Sequence, residues 1–350
     1  MSPSPRKPTL AEAFTERLQQ AWLTGGALSV ALLPLSWVYR GALGLRALVA
    51  RLRRQRREHL PVPVIIVGNW IVGGAGKTPT TLALLDLLAA HGLKAGVISR
   101  GYGRVGNAVL EVTPDSTARE AGDEPLLIHL RGRVPVAVGA DRVAAARLLL
   151  AAHPKLQVLV SDDGLQHQRL PRQLSLLVFD ERGLGNGRLL PAGPLRQLPA
   201  PLAADELVVY NARAPSTALP GFVATRKLGG AVSLADWWAG QPSRRDALLA
   251  LRGLPGWVAV AGIARPQRFF DMLSAEGFEV DTVALADHAN FTHLPWPAHA
   301  AGVLLTEKDA VKLHPERVGS VPVWVVTLDF RWDTGFDAAL LSHLQRLLLA

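Results

Sequence analysis

Val62-Pro-Val-Ile-Ile-Val67 is followed, after five residues, by Gly73-Gly-Ala-Gly-Lys-Thr-Pro-Thr-Thr81. The first segment has the length and apolarity of a buried strand. The second opens a stretch with Leu82, Leu84, Leu85, Leu87 and Leu88 at helical spacing. Strand, glycine-rich turn and Lys-Thr at a helix start make a phosphate-binding loop. In such a loop the backbone N–H groups of Gly73, Gly74, Ala75 and Gly76 converge on an anion, and the helix N-terminus adds its partial positive charge. Lys77 is expected to reach the β- and γ-phosphates of a nucleotide and the Thr78 hydroxyl to sit on Mg²⁺, with Pro79 closing the motif. The usual spacing has a glycine five residues before Gly76, where this chain has Ile71. A glycine-rich turn followed by a chance Lys-Thr is the bland alternative, and the strand–loop–helix context argues against it.

Outward from this loop, short apolar runs at 62–67, 95–98, 134–138, 156–160, 174–179 and 206–210 alternate with helical patterns at 77–90, 124–131 and 141–151. That rhythm predicts an α/β fold with a doubly wound, mostly parallel sheet of the phosphate-loop type. Residues 183–203, rich in Gly, Pro and Leu, read as a long functional loop. The rhythm lapses over 212–255 and returns from 257 onward. The expected organisation is an N-terminal segment at 1–58, a nucleotide-binding domain at 59–215, a linker at 216–256 and a smaller α/β domain at 257–350.

Composition narrows the chemistry. The chain of 350 residues has no cysteine, which excludes disulfides, thiolate nucleophiles and Cys-based metal sites. Of its net charge of +9, the first sixty residues carry +7, so the basic balance describes the N-terminus. It gives no reason to expect a nucleic-acid partner. Residues 18–39 carry no charge, include Trp22, Trp37 and Tyr39, and precede an arginine cluster at Arg51, Arg53, Arg54, Arg56 and Arg57. This is the pattern of a membrane-seated segment with its arginines on anionic head groups. The length suits a spanning helix, whereas Gly25, Gly26 and Pro34 suit a helix lying in the interface, and a buried core helix is a third reading. In a spanning or anchored arrangement the arginine-rich side is cytoplasmic, on the side where ATP is found.

Other strand ends carry polar groups. Residues 156–160 run into Ser161-Asp162-Asp163-Gly164, the place from which nucleotide-binding proteins supply a Mg²⁺-organising carboxylate. An Asp-Asp-Gly turn alone needs no function, but beside a phosphate loop Asp162, Asp163 and Lys77 should share one cleft. Gln166 and His167 extend its polar lining. Asp123 and Glu124 open a helical pattern, where they serve as caps and dipole partners or as a general base for phosphoryl transfer. Arg100 and Arg142 follow two further strands and suit a second anionic group. Asp287 and His288 follow a strand of the second unit, within reach of Asp123 if the two units close. Thr306-Glu-Lys-Asp309 has the pattern of a helix cap and lacks the guanine-reading arrangement of GTPases.

Taken together these segments resemble the tetraacyldisaccharide 4′-kinase family. The matching stretches are Val67-Gly-Asn69 with Gly73–Pro79, Ser99-Arg-Gly-Tyr-Gly103, Gly122-Asp-Glu-Pro125 and Gly139-Ala-Asp-Arg142. They continue with Asp162-Asp-Gly-Leu-Gln-His167, Leu190-Pro-Ala-Gly-Pro-Leu-Arg196, Asp287-His288 with Phe291-Thr292, and Thr306-Glu-Lys-Asp309. The displaced glycine is the family's own pattern. The resemblance implies transfer of the ATP γ-phosphate to the 4′-hydroxyl of a tetraacylated glucosamine disaccharide 1-phosphate, at the cytoplasmic face of the bacterial inner membrane. It implies Asp123 as base with His288 supporting it, and Lys77 and Thr78 on phosphate and Mg²⁺. Asp162, Asp163 and Glu124 then surround the metal and cleft, with Gln166, His167, Arg100, Arg142 and Arg196 as candidates for phosphate or substrate contacts. Two departures are Leu165, where the family usually has an aromatic residue, and Gln197, where an acidic residue is common.

Overall fold

The computed structural model describes residues 10–52 and 58–348. The expectation placed on Arg53, Arg54, Arg56 and Arg57 lies outside the described residues. The chain starts with three helices, α1 (Leu10–Thr24), α2 (Ala27–Ala31) and α3 (Leu33–Leu52). Gly25 and Gly26 break the first from the second, each with positive φ, at 81° and 96°. Among the described residues no helix is long and apolar enough to cross a membrane. The uncharged stretch whose length suited a spanning helix is instead divided among these three helices, broken at Gly25 and Gly26.

The body alternates as the apolar runs predict. In chain order it comprises β1 (Val64–Gly68), α4 (Lys77–Ala90), β2 (Ala95–Ser99), β3 (Leu110–Val112), α5 (Ala118–Ala121) and α6 (Asp123–Gly132). Then come β4 (Val136–Val138), α7 (Arg142–Ala152), β5 (Val158–Asp162), β6 (Leu174–Asp180) and β7 (Glu206–Asn211). Strands β4, β2, β5, β1, β6 and β7 lie side by side and parallel, with β3 antiparallel at the edge. β1, β2, β5 and β6 are buried along their whole length because helices cover both faces, so they read as unbroken apolar runs. Each fully buried Ile or Val in them contributes about 1.5–3 kcal/mol relative to exposure.

The stretch expected as a linker is not a connection. It holds the 12-residue strand β8 (Phe222–Ser233) and helices α8 (Leu234–Trp238) and α9 (Arg245–Ala250). β8 pairs in parallel with β7 and antiparallel with β12 (Val323–Trp332), so one sheet of 12 strands runs through the molecule. β9 (Trp257–Ala261), α10 (Pro266–Ala275), β10 (Asp281–Ala284), β11 (Gly302–Thr306), α11 (Glu307–Ala310) and α12 (Phe336–Leu348) complete the second half-sheet, whose order is β10-β9-β11-β12. The sequence hides β8 for two reasons. It is half-exposed and carries Arg226 and Lys227, so no apolar run marks it. Gly229 and Gly230 also look like a turn, yet a Cβ on Gly230 would lie 2.5 Å from the Arg244 backbone, which only glycine avoids.

The N-terminal helices clasp the loop at 183–203. The Trp22 indole donates to the Pro191 carbonyl at 2.8 Å, the Ser36 hydroxyl to the Leu189 carbonyl at 2.9 Å, and the Tyr39 hydroxyl to the Arg196 carbonyl at 3.0 Å. Their other face leaves Leu23, Val30, Leu35, Trp37, Val38, Leu45 and Leu48 exposed.

Candidate active site

The phosphate loop takes the form that its glycines require. Gly73 and Gly76 both have φ of 90°, a conformation that a side chain would strain. Gly76 is constrained twice: a Cβ there would fall 1.7 Å from the Asn211 amide nitrogen. That amide donates to the Ala75 carbonyl at 2.9 Å, and the Asn69 amide approaches the Gly73 carbonyl at 3.5 Å. Arg182, held on Asp180, donates to the Val72 carbonyl at 3.3 Å. With these loop carbonyls engaged by donors behind them, the N–H groups of the turn are left for an anion. Lys77 and Thr78 open α4 at the mouth of a cleft of about 270 Å³, lined also by Glu124, Arg226, Arg265, Phe269, Lys308 and Leu328.

β5 ends beside this loop. Asp162 is buried and accepts from the Thr81 hydroxyl at 3.4 Å. Burial pushes its carboxyl up to about 7, with the Glu124 charge adding to the effect, Lys77 opposing it and Asp163 adding a little more. Asp163 has φ of 54° and points to Arg196, which donates to its two oxygens at 2.7 and 3.1 Å; Lys77 Nζ stands 3.9 Å away. Burial works to raise the Asp163 carboxyl, but Arg196, Lys77 and Arg142 together hold it below the ordinary value.

These residues suit Mg²⁺ in the way a phosphate-bound metal needs. Asp162 is a buried carboxylate crowded by Glu124 and Asp163, and a divalent cation beside Thr78 would relieve that repulsion. Among the described residues no group of three or more acidic or histidine side chains is poised to hold a metal alone. A Mg²⁺ that keeps water and phosphate ligands does not require one. Asp163 and Glu124 are less available than the sequence suggests, because the first is held by Arg196 and the second lies 3.4 Å from Lys308 Nζ.

At the start of α6, whose Glu124 lines the cleft, Asp123 Oδ2 lies 2.7 Å from His288 Nδ1, which joins α6 to the loop after β10. His288 has φ of 60°, so with Asp163 and Arg133 it is one of three non-glycine residues with positive φ among the described residues. Two of these three contact candidate site residues, Asp163 near Lys77 and His288 on Asp123, and backbone strain is commonly retained at such places. The Asp123 hydrogen bond raises the His288 pKa above 6.5, against burial and the Lys308 charge. Burial works to raise Asp123, but the His288 hydrogen bond and charge, with Lys312 and Lys308, bring it below 3.8. Lys308 also reaches Asp287 at 3.0 Å, and Arg131 reaches Glu307 at 3.2 Å. α6 is thereby tied to the second half-sheet at three points. Thr306-Glu-Lys-Asp309 does cap α11, through Thr306 and Asp309, while its two central residues make two of these ties.

The remaining candidates divide. Arg142 is buried at the start of α7, with Nη1 donating to the Gly139 and Ala140 carbonyls at 3.4 and 3.0 Å. Burial, then the neighbouring Arg100 charge, lowers its pKa, and the Asp163 and Asp162 charges oppose this. Arg100 is exposed. Arg196 is committed to Asp163 and Asn69, so it organises the cleft's carboxylate and stands less open to a ligand than its position in the motif suggests. Gln166 donates to the Asn69 carbonyl at 3.2 Å and to Gln197 at 3.3 Å, and His167 Nδ1 accepts from the Leu170 N–H at 3.1 Å. Leu165 is buried, packing against Gly68. The sequence reading missed Asn211, Arg182 and Arg226. Asn211 was findable, because a polar residue ending an apolar parallel strand is the rule that singled out Asp162.

The model of the family described as tetraacyldisaccharide-1-P 4′-kinase matches residues 28–345. A protein of Leptothrix cholodnii named tetraacyldisaccharide 4′-kinase is 50% identical over 339 residues, covering 95% of this chain and 97% of that one. One of the same name from Methylibium petroleiphilum is 51% identical over 344 residues, covering 96% and 95%. Among solved structures, LpxK from Aquifex aeolicus in complex with ATP superposes with a TM-score of 0.75 at 28% identity, covering 92% of this chain and all of that one. From its first helices to its last, this chain belongs to the tetraacyldisaccharide-1-P 4′-kinase family.

Proposed function

We propose that this protein transfers the γ-phosphate of ATP to the 4′-hydroxyl of a tetraacylated glucosamine disaccharide 1-phosphate, a step of lipid A synthesis. The observation that carries the reading is the Asp123–His288 pair at the start of α6, next to Glu124, which lines one cleft with Lys77, Thr78 and Lys308. ATP occupies the loop, its phosphates met by the turn's N–H groups and by Lys77. Asp123, kept ionised by His288, accepts the proton of the sugar hydroxyl as that oxygen attacks phosphorus. His288 holds the carboxylate's direction and bears positive charge beside it. Mg²⁺ held through Thr78 and Asp162 would neutralise charge on the phosphate oxygens when bound. The chemistry requires positioning and charge compensation more than covalent participation by the protein. Closure of the two half-sheets through α6 excludes water, which limits wasteful ATP hydrolysis.

The acceptor's acyl chains require the protein to work at a membrane surface. The exposed apolar residues of α1–α3, with Arg40 and Arg51 exposed on the same helices, support an interfacial helical segment on anionic lipid at the cytoplasmic face of the inner membrane. The test is transfer of labelled γ-phosphate to the lipid disaccharide in detergent micelles, with wild type beside Asp123→Ala. Labelled lipid from wild type and its loss in the variant are expected. ATP hydrolysis without lipid labelling would mean a membrane-tethered ATPase instead.

A further inference from the structure

Arg226 lies outside every motif of the sequence and on β8, the strand that joins the two half-sheets. Its Nε donates to the Asn211 side-chain oxygen, whose amide holds the Ala75 carbonyl of the phosphate loop. Its guanidinium end comes so near the loop that a Cβ on Gly76 would be 3.2 Å from Nη2. It lines the same cleft as Gly74, Gly76, Lys77 and Thr78. Among the described residues no carboxylate stands within 4.0 Å of it. The nearest acid by charge, Asp180, is already taken by Arg182 at 3.0 Å and Arg265 at 3.5 Å. Burial lowers the Arg226 pKa to about 10, and Arg265 nearby adds repulsion. Of the cleft's acids, Glu124, Glu307 and Asp329 pair with Lys308, Arg131 and Arg331, and a cation left without an ion-pair partner at a phosphate loop marks a place where an anion belongs.

We propose that Arg226 is a phosphate-binding residue, donating to the nucleotide's phosphate chain while its Nε props Asn211 beneath the loop. This deepens the kinase reading and rests on it. Because β8 pairs with β12 as well as β7, the contact also gives the second half-sheet a direct hold on the occupied loop. Arg suits both tasks, since its planar fork offers Nε and the Nη groups in different directions, which a lysine ammonium on its flexible stem does not reproduce.

Calorimetric titration with a non-hydrolysable ATP analogue and with adenosine tests it, on wild type, Arg226→Gln and Arg226→Lys. Glutamine keeps a donor for Asn211 and removes the charge. It is expected to weaken the ATP analogue about ten- to a hundredfold, as for a lost charge-assisted hydrogen bond, and to leave adenosine within about twofold. Lysine is expected to recover part of the loss at unchanged melting temperature. Undiminished ATP affinity in Arg226→Gln would overturn the proposal, as would equal losses for ATP and adenosine or a lysine variant no better than glutamine. Lipid phosphorylation by wild type, run alongside, separates the two readings. If wild type labels lipid and the Arg226 variants match it, only the arginine's role fails; if wild type does not, the kinase reading fails.

Discussion

In the phosphate cradle the nine consecutive residues Gly73–Thr81 run from the loop after β1 into α4, whereas the Asp123–His288 pair joins side chains 165 positions apart on elements of different half-sheets. The cradle's shape follows from local rules: φ values open to glycine, a helix start, a strand behind. The pair exists only while α6 and the loop after β10 face each other, tied by Lys308 to Glu124 and by Arg131 to Glu307. One half of the site is thus set by local sequence and the other by how two half-sheets pack.

The largest break in this comparison is Asp123→Ala, expected to lower kcat/KM for lipid phosphorylation about 10²–10⁴-fold with ATP binding retained, measured by γ-phosphate transfer and nucleotide titration. On the cradle side, Lys77→Ala is expected to cost about 10²–10³-fold in kcat. Gly76→Ala sharpens the contrast, since its strain and the clash with Asn211 act on a single turn. A loss of roughly ten- to a hundredfold in ATP affinity is expected, and the Asp123–His288 pair should be unaffected by NMR.

Away from the cleft, Trp37→Glu on the exposed helical face is expected to weaken sedimentation with anionic vesicles by about tenfold or more, the worth of one buried aromatic. Activity on a substrate dispersed in detergent should persist.

The smallest effect concerns pH. The His288 pKa is raised, so its share of the pairing is fully present below 6.5 and is lost as pH rises through the raised value. Asp123 is lowered, so its share is present above 3.8 and is lost as pH falls through the lowered value. An NMR titration of His288 should show a midpoint above 6.5 in wild type and a lower one in Asp123→Asn. Equal midpoints would mean that the two residues are not coupled in solution.

The halves of the site were unequally legible in the sequence. β1, α4 and β5 could be read because buried parallel strands are continuous apolar runs and the loop's glycines and Lys-Thr are contiguous. β8 could not, because its alternating exposure, charges and two glycines imitate a connection, although in the sheet they meet β12 on one side and the Arg244 backbone on the other. Asp123 and His288 could be suspected from strand and helix ends, but their 2.7 Å contact depends on how two half-sheets lie. Arg196 was named only through the family resemblance, as a candidate for phosphate or substrate contact, and its engagement with Asp163 depends on the loop at 183–203, which α1–α3 hold in place.

By itself the sequence determined the shape of the proposed nucleotide half of this protein: a strand, a turn with the necessary positive-φ glycines, and a helix that starts at Lys77-Thr78. Those are short-range properties, set by backbone sterics and the apolar period. The tertiary structure alone decided that β8 makes one sheet of two, that α1–α3 clasp the loop at 183–203, and that Asp123 meets His288. It also placed Arg226 at the loop without an acid of its own. Such features depend on contacts between segments far apart in the chain, where packing and charge decide the outcome and local pattern is silent.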